Sequence, residues 1–153
     1  MRVVIQRVSE SSVVIDNTTV AVINKGLLIL LGIEIEDTKE DAVWLANKIS
    51  QLRIFSDEEG VMNKSILEVN AEVIVVSQFT LHAKTKKGNR PSYIKSARPE
   101  QAIPLYEQFK KDLSQSIGNE VQSGEFGADM QVLLINDGPV TICLLYTSDA
   151  ADE

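Results

Sequence analysis

Apolar and polar residues alternate along the start of the chain. Over residues 2–8, Val3 and Ile5 fall on one face, with Val8 as a candidate to join them, predicting a strand. The same two-residue period returns in residues 11–15 and 20–23, on either side of Asp16-Asn17, a turn-prone pair, and predicts a hairpin. The alternation stops at residues 26–33, GLLILLGI, which read as a strand buried on both faces. That run is far shorter than the roughly 20 apolar residues that span a bilayer. From Thr38 to Leu52 the period becomes helical, with Ala42, Leu45, Ile49 and Leu52 on one face and a capping-box-like start in Thr38 and Asp41.

Residues 57–60, DEEG, predict an acidic, solvated turn, since they lack the alternating oxygen ligands of a calcium loop. A short buried strand at residues 73–76 runs straight into Ser77, Gln78, Phe79 and Thr80. Pro99 opens a second helix reaching about Ile117, with Pro104 expected to delay its true start and Leu105, Phe109 and Leu113 as its apolar stripe. Residues 131–135 predict another strand, and Val140 begins one more. Runs of strands with two main helices predict a single-domain α+β fold around a largely antiparallel, barrel-like sheet.

The 153 residues suit one domain with a real core, and 44% of them are hydrophobic, ordinary for a globular chain. The opening MRVVIQRVSE is charged every few positions, unlike a signal peptide, so a soluble cytoplasmic protein is expected. A formal net charge of -7 argues against binding nucleic acid by bulk charge alone, although a local basic patch can still dock RNA. One Cys and one His exclude a disulfide framework and a multi-ligand Cys/His zinc site, and no metal or cofactor is expected.

Two segments place polar groups where chemistry could use them. In residues 75–83, VVSQFTLHA, polar groups follow directly on a buried strand, a rigid place to present backbone N–H groups. In residues 135–141, INDGPVT, a Gly-Pro pair between two strands predicts a tight turn whose X-Pro bond can be cis. Each also has a plain structural reading, as a hydrogen-bonded turn and a hairpin corner. Arg7 alone reads as a surface charge on an edge strand. Lys84, Lys86, Lys87 and Arg90 form the densest basic cluster of an acidic chain, readable as a solvated loop or as a phosphate contact.

SQFTL together with NDGPVT closely resembles the two signature motifs of the D-aminoacyl-tRNA deacylases. MRVVIQRV, LRIFSDEEGVMN at residues 52–63, KGNRPSY at 87–93 and FGADM at 126–130 extend the likeness over nearly all of residues 1–142. The resemblance implies hydrolysis of the ester of D-aminoacyl-tRNA, and of glycine mischarged on tRNA(Ala), by a homodimer with its sites at the subunit interface. No membrane or DNA partner is expected. A Gly138-Pro139 cis bond would reach into the neighbouring subunit's site and exclude L-amino acids, with Arg7 bracing it. Ser77, Gln78, Phe79 and Thr80 would form the catalytic segment, Met130 would contact substrate, and Lys84, Lys86, Lys87 and Arg90 would meet the tRNA.

An ester attacked by water passes through an oxyanion, which the N–H groups of Phe79 and Thr80 could stabilise; the 2′-hydroxyl of the terminal ribose would activate the water. Thr80 as nucleophile, with His82 two residues on as its base if the strand continues, remains open. So do a related deacylase for L-alanyl mischarged tRNA, whose first motif differs, and a non-catalytic nucleic-acid-binding module on the same fold. From Cys143 the chain reads CLLYTSDAADE. The codons TGT CTC TTA TAC ACA TCT would encode its first six residues and match a transposon end used in preparing sequencing libraries. Residues 143–153 are therefore expected to be a non-native tail, with the domain ending at 142.

Overall fold

In the computed structural model, residues 1–147 are described. The chain starts with β1 (Arg2–Ile15), β2 (Thr18–Ile23), β3 (Gly26–Gly32) and α1 (Lys39–Gln51). A small hairpin of β4 (Phe55–Ser56) and β5 (Met62–Lys64) follows, then the one-turn α2 (Ile66–Val69) and β6 (Glu72–Ser77). A 3-10 turn (Phe79–His82), the long α3 (Pro99–Ile117), the two-residue β7 (Gln122–Ser123) and β8 (Gln131–Leu145) complete it.

The organising element is β1, a single strand of 14 residues where the sequence suggested two. Its first half pairs antiparallel with β3 and its second half with β2, while β8 runs antiparallel along its whole length. The predicted hairpin between β1 and β2 turns on Asp16 and Asn17, both at positive φ (49° and 63°), the backbone a two-residue hairpin loop needs. Beyond β3 the pairing becomes parallel, with β6 against β3 and β7 against β6, so the sheet is mixed. Side chains close the ring between β2 and β7: the Gln122 amide accepts from Val22 N–H and donates to Val22 O, both at 2.8 Å. One side chain thus replaces a rung of backbone ladder, and the fold is a nearly closed α+β barrel.

Period-two alternation divides the core. Val3, Ile5, Leu27, Ile29, Leu31, Val73 and Val75 face α1 and α3, whereas Val8, Val13, Leu28, Ile74 and Val76 fill the barrel interior. Both faces of β3 and β6 are therefore buried, which explains their unbroken apolar runs. α1 lays Ala42, Leu45 and Ile49 on the sheet, and its start is capped as expected, the Asp41 carboxylate accepting from Thr38 N–H at 2.8 Å.

α3 departs from expectation in two ways. It starts at Pro99, and Pro104 lies inside it. Its buried stripe is Ala102, Tyr106, Phe109, Leu113 and Ile117, with Leu105 at the stripe's edge and only partly buried. Fully burying Phe109 or Leu113 contributes about 1.5–3 kcal/mol each, enough together to offset the roughly 3 kcal/mol disfavour of an interior proline.

The strand β8 corrects a further expectation. Gly138-Pro139 is not a corner between two strands, because β8 continues through it in one direction. The strand runs on past Ile142: Cys143, Leu144 and Leu145 pair with Val4, Val3 and Arg2, and Tyr146 O accepts from the Met1 ammonium at 2.9 Å. The rest of the suspected tail, residues 148–153, lies outside the described residues. The Met1 ammonium also meets Asp37 at 2.6 Å, and burial still holds that carboxyl above the usual carboxylate range. No helix among the described residues is long and apolar enough to cross a membrane.

Candidate active site

The first motif begins where β6 ends. Ser77 pairs with Leu31 of β3, and Gln78 N–H donates to Leu31 O at 2.7 Å. The chain then leaves the sheet as the 3-10 turn, so the strand does not carry Thr80 and His82 onto one face. A 3-10 turn leaves its leading N–H groups without acceptors inside it, and here those belong to Phe79 and Thr80.

On the opposite side of the turn, the carbonyls of Gln78, Phe79, Thr80 and Leu81 are each tied down. Leu81 N–H donates to Gln78 O at 3.2 Å and Ala83 N–H to Thr80 O at 3.1 Å. From outside the turn, Ser96 Oγ donates to Phe79 O at 3.0 Å and Arg2 Nη1 to Leu81 O at 2.8 Å. His82 is buried and its Nε2 lies 2.9 Å from Gly32 O. A carbonyl only accepts, so Nε2 carries the hydrogen. His82 is thereby fixed on β3 rather than placed as a base for Thr80, whose Oγ1 instead accepts from Gln78 Nε2. The anchors Arg2 and Ser96 were invisible in the sequence, since each is remote from the turn and lies in no motif.

Beside the turn opens a cleft of about 270 Å³. Ser77, Gln78 and Phe79 line it together with Met130, Phe126 and Ala102. The structure therefore brings the predicted substrate residue Met130 to the SQFTL turn, and adds Phe126 and Ala102. A wider groove of about 910 Å³ between α1 and α3, around Trp44 and Asp112, holds none of the predicted residues.

The second motif lies elsewhere. Along the ladder, Gln6 pairs with Thr141 and Val8 with Asn136, so four residues, 137–140, bulge opposite Arg7 alone. Arg7 is buried, not a surface charge: Nε donates to Asp137 O at 2.9 Å and Nη1 to Ile54 O at 2.8 Å. Asn136, which sequence reasoning missed, closes the bulge. Its Oδ1 accepts from Val140 N–H at 2.7 Å and its Nδ2 donates to Thr141 Oγ1 at 2.9 Å. The Gly138-Pro139 peptide is cis, and both residues are exposed. Gly138 has φ 139°, and a β-carbon there would stand 3.1 Å from Arg7 Nη2, so neither backbone nor space suits another residue.

Arg7, Gly138 and Pro139 thus form one group, and none of them lines the cleft of their own chain. Lys84, Lys86, Lys87 and Arg90 form a third, all exposed on the loop that leaves the turn. Among the described residues no cluster of His, Cys, Asp and Glu is arranged to hold a metal ion. Two N–H groups without acceptors in their own turn, beside a cleft, can stabilise a developing oxyanion without a side-chain nucleophile.

Comparison with known proteins identifies the family. The family described as D-Tyr-tRNA(Tyr) deacylase matches residues 4–145. A D-aminoacyl-tRNA deacylase of Bacteroides fragilis (strain YCH46) is 67% identical over 144 residues, covering 94% of this chain and 96% of the relative. The solved structure of a c-Myc DNA Unwinding Element Binding Protein superposes with a TM-score of 0.90 at 38% identity, covering 97% of this chain and 100% of that one. A probable eukaryotic D-amino acid tRNA deacylase shares the fold, with a TM-score of 0.81 at 18% identity and coverage of 94% and 97%. The chain is a hydrolase of the deacylase class. It belongs to the D-Tyr-tRNA(Tyr) deacylase family.

Proposed function

We propose that the enzyme hydrolyses the ester of D-aminoacyl-tRNA, and of glycyl-tRNA(Ala), in the cytoplasm, and spares L-aminoacyl esters. The observation that carries this reading is the pair of N–H groups on Phe79 and Thr80, without acceptors in their turn, beside a cleft lined by Ser77, Gln78 and Met130. Water, activated by the terminal ribose 2′-hydroxyl, attacks the carbonyl carbon. The carbonyl electrons move to oxygen and are held by the two N–H groups, each worth roughly 10²–10³ in rate. The tetrahedral species collapses by expelling the ribose 3′-oxygen, which takes up a proton, leaving free amino acid and tRNA.

Chirality selection rests on Gly138-Pro139 acting across a homodimer. The bulge is exposed and apart from its own cleft, which suits insertion into a neighbour's. Half-exposed Leu133 and Ile135 on β8, with Val20 and Val22 on β2, offer the apolar surface such a dimer would bury. The carbonyls of the bulge would face the substrate's α-carbon, where a D side chain points away and an L side chain collides. Glycine, with no side chain, passes.

The deciding experiment is hydrolysis of D-tyrosyl-tRNA against L-tyrosyl-tRNA. Loss of the D-ester alone supports the full reading. Cleavage of both retains the esterase and removes the filter. The solved relative at 38% identity, a DNA-element-binding protein by name, favours one second reading, a nucleic-acid-binding protein without turnover; RNA binding with neither ester cleaved would establish it.

A further inference from the structure

Resting on the deacylase reading above, we propose that Tyr93 is a stacking platform for the unpaired base that adjoins the esterified nucleoside of the tRNA acceptor end. The rings of Tyr93 and Phe79 stand 5.0 Å apart at 77°, edge to face, and remain 38% and 53% exposed. An edge-to-face pair covers only one ring face between them, so other faces are left open to a flat ligand. The spacing is built into the backbone. Ser96 N–H donates to Tyr93 O at 3.0 Å, and Ser96 Oγ donates to Phe79 O at 3.0 Å, so one residue holds both aromatic positions.

The surrounding charge is that of a polyanion site. Residues 84–98 hold Lys84, Lys86, Lys87, Arg90, Lys95 and Arg98 and no acidic residue, in a chain of net charge -7. The base of this loop is clamped by Lys84 and Ser92, which exchange two backbone hydrogen bonds at 2.8 and 2.9 Å. That clamp sets Tyr93 one residue beyond a basic lobe.

Lys84 and Lys95 share a neighbouring cavity with Glu34, Glu36 and Asp41. Those carboxylates repel phosphate, so the strand runs along Lys86, Lys87 and Arg90. Phe79 lines the cleft and Tyr93 does not, so the terminal adenosine occupies the cleft and Tyr93 meets the nucleotide next to it. Aromatic side chains beside a basic groove are the usual holders of unpaired bases, because every base offers a flat face.

The test compares D-tyrosyl-tRNA with 3′-O-D-tyrosyl-adenosine, which lacks the adjoining nucleotide. Tyr93→Ala should raise KM for the tRNA on the order of tenfold more than KM for the adenosine ester. Tyr93→Phe and Tyr93→Trp should restore it, while Tyr93→Leu, apolar but without a π-face, should not. Equal losses on both substrates, or rescue by leucine, would overturn the platform. Binding of a fluorescein-labelled single-stranded RNA ending in CCA is measured alongside. If the native enzyme cleaves no D-ester, the deacylase reading fails, and this binding still decides the platform: weakening by Tyr93→Ala supports it and indifference overturns it.

Discussion

Arg7 Nε donates to Asp137 O at 2.9 Å across the only point where four residues of β8 oppose one residue of β1. The same guanidinium reaches Ile54 O at 2.8 Å, tying the bulge to the chain segment before the β4–β5 hairpin. A guanidinium can serve two carbonyls at once because its donors diverge from a rigid plane. Arg7→Ala should therefore leave the ladder standing but free the bulge, costing about 1–3 kcal/mol from lost charged hydrogen bonds. Thermal unfolding measures that cost, and paired D- and L-tyrosyl-tRNA assays should show selectivity falling more than D-activity. Unchanged selectivity would remove Arg7 from the filter.

Thr80 distinguishes a backbone mechanism from a nucleophilic one. Its hydroxyl accepts from Gln78, and His82 is committed to Gly32 O. Thr80→Ala keeps the N–H and should retain D-tyrosyl-tRNA turnover within about tenfold. A nucleophile's removal costs far more, on the order of 10⁴ or greater, so a loss of that size would reinstate the covalent route.

What the sequence shows and what it hides divides by range of interaction. The turn at Asp16-Asn17 and the cap at Thr38 and Asp41 are decided by neighbours in the chain, and both were legible. Gly138-Pro139 was read as a corner because glycine and proline locally favour one. Its conformation is set instead by Arg7 and by pairing on both flanks with β1, about which the local pattern is silent. The parallel partners of β6 were hidden for the same reason: Ile74 and Val75 look alike whichever strand lies beside them. The first signature segment was visible as polar groups at a strand end, and the second as a Gly-Pro pair between two expected strands. That Met130 shares a cleft with Ser77 while Arg7 does not could only come from the fold.

The β4–β5 turn gives a pH-dependent test of stability. Asp57 Oδ1 accepts from Glu59 N–H at 2.9 Å and Val61 N–H at 3.0 Å. The Val61 hydrogen bond foremost holds this half-exposed carboxyl below its ordinary value of 3.8. The unfolded chain thus binds the proton more readily, so the turn's contribution is present above about pH 4 and is lost as pH falls through the lowered folded value. Urea unfolding of native protein and Asp57→Ala should differ at neutral pH and converge in acid. A difference that persists in strong acid would mean that the carboxylate is not its source.

Gly32 tests whether the placement of the SQFTL turn, rather than its side chains, sets the rate. It ends β3 directly beneath the turn, and a β-carbon there would stand 2.9 Å from Gln78 O, 3.0 Å from Leu81 Cβ and 3.1 Å from His82 Cδ2. The first and second of these neighbours cannot swing away as a flexible side chain would, so Gly32→Ala must shift the backbone that aims the Phe79 and Thr80 N–H groups. Overpacking of this kind costs about 1–3 kcal/mol of stability. Displacing one oxyanion donor should lower kcat by about 10²-fold, with KM for D-tyrosyl-tRNA little changed, since the two amides engage their full charge only once the oxyanion has developed. Circular dichroism would establish that the barrel persists. A folded Gly32→Ala protein with native kcat would show that the turn tolerates displacement, and would move the source of catalysis away from these two amides.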